Sequence, residues 1–145
     1  MRINQLKENN PIRIKLGKPS NNTKQFLDDY YNQTQENPLN TKSRIYNNTK
    51  IEIYPIKNTI HISDLQSITP NSGAGTKTLN FLKSLADKYN IKLTLTAKSY
   101  TNTITTKQLI NWYQKNKFII DDEFVTDDED LDYIDEADMI YYPHS

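Results

Sequence analysis

The sequence predicts an α/β fold of the α+β kind, a mixed sheet with helices on both faces. Three observations lead there. A βαβ unit stands in the middle of the chain: Thr59–Leu65 alternates apolar and polar residues, Asn71-Ser72-Gly73-Ala74-Gly75-Thr76-Lys77 interrupts the pattern, Leu79, Leu82, Leu85, Ala86 and Tyr89 recur at helical spacing, and Ile91–Ala97 alternates again. A right-handed crossover then places both strands in one sheet. Around this unit the periodicities follow one another as β-α-β-β-β-α-β-α-β-β, without repeats or a composition break that would mark a boundary. With 145 residues, 35% of them apolar and 25% charged, residues 1–145 suit a single globular domain.

Each element has its own signal. Ile12-Arg13-Ile14-Lys15-Leu16 alternates and is closed by Gly17-Lys18-Pro19, a strand and a turn. Thr23 is a candidate cap for a helix through Phe26, Leu27, Tyr30 and Tyr31 to about Gln35, ended by Pro38. Arg44–Tyr46, Lys50–Tyr54 and Thr59–Leu65 read as strands joined by turns at Asn47-Asn48 and Lys57-Asn58. After the βαβ unit, Ser99–Thr103 is polar and aperiodic. Thr105 or Thr106 then caps a helix carrying Leu109, Ile110, Trp112 and Tyr113 that ends near Asn116. Phe118–Ile120 and Asp138–Tyr142 are short strands separated by an acidic loop, the second of them stopped by Pro143.

Composition narrows the function classes. There is no cysteine, which removes disulfides, thiol catalysis and cysteine metal sites, and the histidines and carboxylates show no metal-ligand spacing, so no metal is expected. No apolar run approaches the roughly 18 residues that span a bilayer, and Met1-Arg2-Ile3-Asn4 does not open a signal peptide, so no membrane role and a cytoplasmic location are expected. The net charge of zero hides an asymmetry: all 18 Lys and Arg precede Phe118, while 11 of the 18 acids crowd into Asp121–Asp138. That segment reads either as a solvated loop or as a negative rim that draws a cationic substrate or a basic surface. Nucleic-acid binding by the basic body is disfavoured, because its cations are scattered and the usual recognition motifs are missing.

Two of the chain's three glycines, Gly73 and Gly75, stand one residue apart where the βαβ strand gives way to its helix. Such a pair marks a backbone position with φ > 0 or close approach of another group. A tight strand-to-helix turn would account for it. So would an anion site, since the free N–H groups of the helix point back into the loop at the carboxyl end of a strand.

With these residues, the order of elements resembles the GNAT superfamily of N-acetyltransferases. Gly73-Ala74-Gly75 matches the end of that family's Gln/Arg-x-x-Gly-x-Gly/Ala loop. Thr76–Tyr89 with Ile91–Ala97 matches its central helix and following strand, and Leu109-Ile110-Asn111-Trp112-Tyr113-Gln114-Lys115-Asn116-Lys117-Phe118 is similar to its Ala-x-x-x-Tyr-x-x-x-Gly-Phe ending. The matches cover residues 59 to 120. Small virus-encoded acetyltransferases, including inhibitors of bacterial defence, share the compact form and an acidic stretch after that tyrosine, which would place the protein in a host cytoplasm. Pro70, Thr106, Leu109 and Lys117 depart from the family pattern, where Gln or Arg, Asn, Ala and Gly are usual.

The resemblance implies a central, mostly antiparallel sheet and acetyl-CoA as cofactor. Its pyrophosphate would be held by the main-chain N–H groups of Gly73, Ala74, Gly75, Thr76 and Lys77, with Thr106 at the position of the family's asparagine. The pantetheine arm would lie between splayed strands 59–65 and 91–97, with the thioester near Leu65 and an N–H between Leu65 and Ser67 polarising the acetyl carbonyl. Tyr113 matches the proton donor to the leaving thiolate, a phenol of pKa about 10 that stays protonated at neutral pH. Asp64 and His61 are the candidate general bases, and strict alternation puts them on opposite faces of their strand. The acceptor implied is an amine, on a protein lysine or a polyamine-like molecule, and a dimer is compatible with the fold. A second reading is a catalytically inactive relative that engages a basic partner through its acidic loop.

Overall fold

The computed structural model describes residues 20–69, 72–101, 103–121 and 135–144. The expected strand Ile12–Leu16, Pro70, Asn71 and the middle of the acidic loop lie outside the described residues.

Helix α1 (Asn21–Gln33) is capped by Ser20, whose hydroxyl accepts from the Thr23 N–H. Thr23, expected to be that cap, sits inside the first turn and donates its hydroxyl to the Lys57 carbonyl at 2.7 Å. A two-residue strand β1 (Gln35–Glu36), β2 (Arg44–Tyr46), β3 (Thr49–Ile56) and β4 (Thr59–Ser67) follow as antiparallel neighbours. The turns at Asn47-Asn48 and Lys57-Asn58 are where expected, and Asn47, Asn48 and Lys57 take positive φ there. Helix α2 (Ala74–Tyr89) crosses to β5 (Lys92–Ala97), the one parallel neighbour among these strands. Helix α3 (Thr106–Lys115) leads to β6 (Ile119–Ile120), and β7 (Ala137–Tyr141) inserts between β6 and β5. The sheet order is β1-β2-β3-β4-β5-β7-β6. This is the mixed, mostly antiparallel sheet that was expected.

The core lies on one face of that sheet. Ile51, Ile60, Ile62, Leu93, Leu95, Met139 and Tyr141 point from alternate strand positions toward Leu79, Leu82, Leu85 and Ala86 of α2. Helix α1 joins α2 through Tyr30, whose ring stacks on Phe81 at 6.5 Å, and through Asp29, which accepts from the Tyr89 hydroxyl and Lys88. Helix α3 joins through Tyr113 and Phe118, whose rings lead to Tyr141, and Tyr141 in turn donates to Asp87 of α2. The three helices among the described residues pack around this core. The other face presents Tyr54, His61, Thr94, Asp138 and Ile140. Among the described residues no helix is long and apolar enough to cross a membrane.

Candidate active site

The parallel pair comes apart where the site is expected. β4 and β5 pair only from Thr59↔Lys92 to Ile62↔Leu95, although β4 continues to Ser67 and β5 to Ala97. Past Ile62 the edge of β4 that should face β5 has no strand beside it among the described residues. Main-chain direction alternates along a strand, and the Ile68 N–H donates to the Asn48 carbonyl at the β3 side. Gln66 and Asp64 therefore face β3 with their peptide groups, and the Leu65 and Ser67 N–H groups point away from it, the Leu65 one bonded to the Asp64 carboxylate.

The helix that follows opens onto the same gap. Gly73 is the N-cap of α2 with φ 77°, a left-handed conformation that an L side chain enters only at a cost, and no side chain caps the helix. Gly75 answers a different need. A Cβ there would stand 3.3 Å from Ser67 Oγ and 3.9 Å from both Leu65 Cδ2 and Trp112 Cη2, so its absence keeps open a slot between the end of β4 and α3. Of the five N–H donors expected at a phosphate, two are committed. Lys77 donates to the Gly73 carbonyl as the first intrahelical bond, and Ala74 donates to Ser72 Oγ at 3.3 Å. Gly73, Gly75 and Thr76 remain, their N–H groups with no protein partner among the described residues, and the exposed Lys77 ammonium stands one residue on. Unpaired donors at a helix start, beside a slot that a methyl group would fill, fit a diphosphate carried on a narrow chain.

Thr106 does not join them. Thr105 caps α3 in a reciprocal capping box with Gln108, while the Thr106 hydroxyl accepts from the Ser99 N–H and donates to the Asp135 carbonyl, both at 3.2 Å. It ties the loop after β5 to the approach to β7, which commits its hydroxyl within the protein.

Alternation misplaced the two candidate bases relative to each other. Glu52 pairs with Asp64 and Ile53 with Ile62, so Ser63 is an extra residue, a β-bulge. The Ser63 hydroxyl binds the Glu52 carbonyl at 3.1 Å and its carboxylate at 3.2 Å, which fixes the bulge. One added residue flips the sequence parity, and His61 and Asp64 emerge on the same face, opposite the one that packs against α2. The signal was present in the spacing of Ile60, Ile62 and Leu65, where the apolar period slips from two to three. His61 Nδ1 lies 2.9 Å from Thr94 Oγ1 with its ring tilted over Tyr54, and burial holds its pKa below the usual imidazole value against the pull of Asp138.

Burial raises the Asp64 carboxyl pKa, while Lys50 and the Leu65 N–H act the other way. A carboxyl whose folded-state pKa exceeds its unfolded value costs stability when ionised and costs nothing once protonated in both states. Asp64→Asn is therefore expected to melt higher than the unaltered protein at pH 7, with the difference vanishing near pH 3, as read by thermal denaturation. An Asn that melts lower at pH 7 would show that Asp64 is a structural carboxylate. Tyr113 is 8% exposed, edge-on to Trp112 and Phe118, with no hydrogen bond to its hydroxyl among the described residues. Burial, and next the negative charge of Asp64, push it up to about 12.

No family model matches the sequence, and no curated protein does. Among solved structures, the anti-CRISPR protein AcrVA5 is similar over 68% of this chain and 95% of its own, at 20% identity and a TM-score of 0.54. A putative GNAT-family acetyltransferase from Bacteroides thetaiotaomicron is similar over 90% of this chain and 73% of its own, at 13% identity and a TM-score of 0.49. A Bacillus subtilis acetyltransferase in complex with CoA is similar over 93% of both chains, at 13% identity and a TM-score of 0.43. The likeness to AcrVA5 shows a shared fold.

Proposed function

We propose that this protein is an N-acetyltransferase that takes acetyl-CoA as donor and an amine as acceptor. The observation that carries the reading is the convergence on one gap of main-chain donors without a partner among the described residues, Ser67 from β4 and Gly75 and Thr76 from the start of α2. Gly75 and Thr76 would hold the pyrophosphate with the helix dipole behind them. Ser67 would receive a pantetheine amide as a neighbouring strand does, and the Leu65 N–H, now held by the Asp64 carboxylate, would serve an oxyanion once it turns from that partner. When bound, acetyl-CoA would supply an activated acyl group as its thioester.

The chain's own groups meet the remaining needs. Asp64 stands on the sheet face away from α2, holding the Leu65 N–H, and its carboxylate can hold an ammonium group or take a proton from it, directly or through water. His61, neutral at physiological pH because burial lowers its pKa, is a second proton acceptor on that face. Tyr113 keeps its proton throughout the physiological range, as a donor to a leaving thiolate must.

Calorimetric titration with acetyl-CoA, followed by an assay of thiol release against amines, tests the reading. Binding with amine-dependent release is expected. Binding without release from any amine would favour the inactive relative, and no binding would reject the cofactor assignment.

A further inference from the structure

Helix α3 ends in a left-handed turn that closes two hydrogen bonds. The Phe118 N–H donates to the Tyr113 carbonyl and the Lys117 N–H to the Gln114 carbonyl, both at 3.0 Å, and the Phe118 ring packs edge-on to Tyr113. Such a turn needs one residue in the left-handed region, and that residue is Lys117, with φ 75°. Glycine enters the region freely, whereas the Cβ of a lysine is driven toward the following carbonyl oxygen. The exposed Lys117 side chain has no partner among the described residues, so nothing it does offsets the strain. A strained residue persists where its surroundings over-determine it.

The surroundings in question meet at Asn116. Its N–H is shared between the Trp112 and Tyr113 carbonyls at 3.2 and 3.0 Å, and its side-chain amide donates to the Trp112 carbonyl at 2.9 Å. Its own carbonyl, at the negative end of the helix, accepts from Lys83 Nζ of α2 at 3.0 Å. That carbonyl belongs to the same peptide plane as the Lys117 N–H. One edge of the plane is therefore held by Lys83 and the other by Gln114, which fixes the unit about which the φ of Lys117 is set. Lys83 is itself held in place: its ammonium lies 5.8 Å from the centroid of the Tyr141 ring, and the Tyr141 hydroxyl donates to Asp87, one turn on along α2.

The turn held in this way carries Trp112 and Tyr113. Trp112 closes the slot at Gly75, its Cη2 3.9 Å from where a Cβ would stand, and Tyr113 is the proton donor of the proposed reaction. We infer that Lys83 is a positioning residue: its bond to the Asn116 carbonyl holds the strained end of α3 and so sets Trp112 and Tyr113 against the first turn of α2. The kinetic half of this inference rests on the acetyltransferase reading, and the structural half does not. Glycine at position 117 removes the strain and makes Lys83 dispensable, so the two positions are coupled.

The test compares the unaltered chain with Lys83→Met, Lys117→Gly and the double variant. Methionine keeps an apolar stem beside Tyr141 and removes the donor. Trp112 is the protein's one tryptophan, so its fluorescence reports the slot directly. Acrylamide is expected to quench it more strongly in Lys83→Met, and as in the unaltered chain in Lys117→Gly and in the double variant. Lys83→Met should lower kcat about tenfold with KM for acetyl-CoA within about twofold, since the phosphate donors lie on α2 and its loop while the displaced proton donor lies on α3. On the Lys117→Gly background the same change should cost less than about twofold in kcat. Quenching and kcat unmoved by Lys83→Met, losses of the same size on both backgrounds, or a fall in kcat matched by a rise in KM would each overturn the inference. If Lys83→Met fails to fold, the double variant decides: it is expected to fold with unaltered quenching, and its failure to fold would overturn the coupling. Calorimetry of the unaltered chain with acetyl-CoA tests the acetyltransferase reading separately. Without binding that reading falls, and the quenching series alone then judges Lys83.

Discussion

Gly75→Glu is expected to weaken acetyl-CoA binding at least about 100-fold, near 2.8 kcal/mol, while the protein melts no lower than before. The two halves of this result have separate causes. Gly75 lies in the first turn of α2, where no acidic residue now stands, and its φ is not among the positive ones. Glutamate is a better helix former than glycine, and its charge favours the positive end of the dipole, so the helix gains. The slot loses: a Cβ already touches Ser67 Oγ at 3.3 Å, and the added carboxylate must share the gap with a diphosphate. Gly73→Ala is the reciprocal control. A Cβ at Gly73 meets nothing within 4 Å, but φ of 77° costs an L residue about 1–2 kcal/mol, so that variant should melt lower and bind nearly as well. Calorimetry and thermal denaturation on both variants read the four outcomes. If Gly75→Glu kept its affinity, the diphosphate would not lie at this helix.

The division of labour between the two glycines was only half visible in the sequence. Their rarity marked the loop, and the pattern Leu79, Leu82, Leu85, Ala86 placed the helix behind it, because both signals are local. Which glycine served the backbone and which served a neighbour depended on Ser67 and Trp112, residues brought to Gly75 by the crossover and by α3. The helix's use of its own N–H groups was likewise set by where its first turn closes. It begins at Ala74 rather than Thr76, and that shift commits Lys77 to the Gly73 carbonyl.

Strand alternation carried well into the sheet. It located β3, β4 and β5 to within a few residues, since one face of each strand is buried and a polar residue there would be costly. It failed at Ser63, where a single extra residue reverses every later side chain and the only trace is a one-residue slip between Ile62 and Leu65. It was silent about β1, since two exposed residues have no period, and about the wall from Asn37 to Ser43, whose shape comes from side chains bonding their own loop. The groove that this wall forms with Lys50, Asp64 and Gln66 of β3 and β4 was therefore invisible in the sequence. Its floor residues Lys50 and Gln66 read as ordinary solvent-facing strand positions, and that is also what leaves them free to meet a ligand.

Tyr113→Phe is expected to lower kcat by about 100-fold or more without lowering the melting temperature. The ring is what the core uses: it packs at 4.8 Å from Trp112 and 5.5 Å from Phe118, and phenylalanine keeps both contacts. The hydroxyl has no partner among the described residues, so its removal strands no buried donor or acceptor, and a purely structural tyrosine would lose nothing by the change. The pH dependence separates Tyr113 from Asp64. With the phenol pushed up to about 12, deprotonation of Tyr113 contributes no falling limb at neutral or mildly alkaline pH. Asp64 must be ionised to accept a proton, and its pKa is raised, so kcat/KM should fall on acidification through a pH above the ordinary carboxylate value. Asp64→Asn should flatten that acidic limb and lower the plateau; Tyr113→Phe should lower the plateau and leave the limb where it was. Should Tyr113→Phe turn over at the unaltered rate, the proton for the leaving group comes from elsewhere, and a limb that survives Asp64→Asn would point to His61 on the same face.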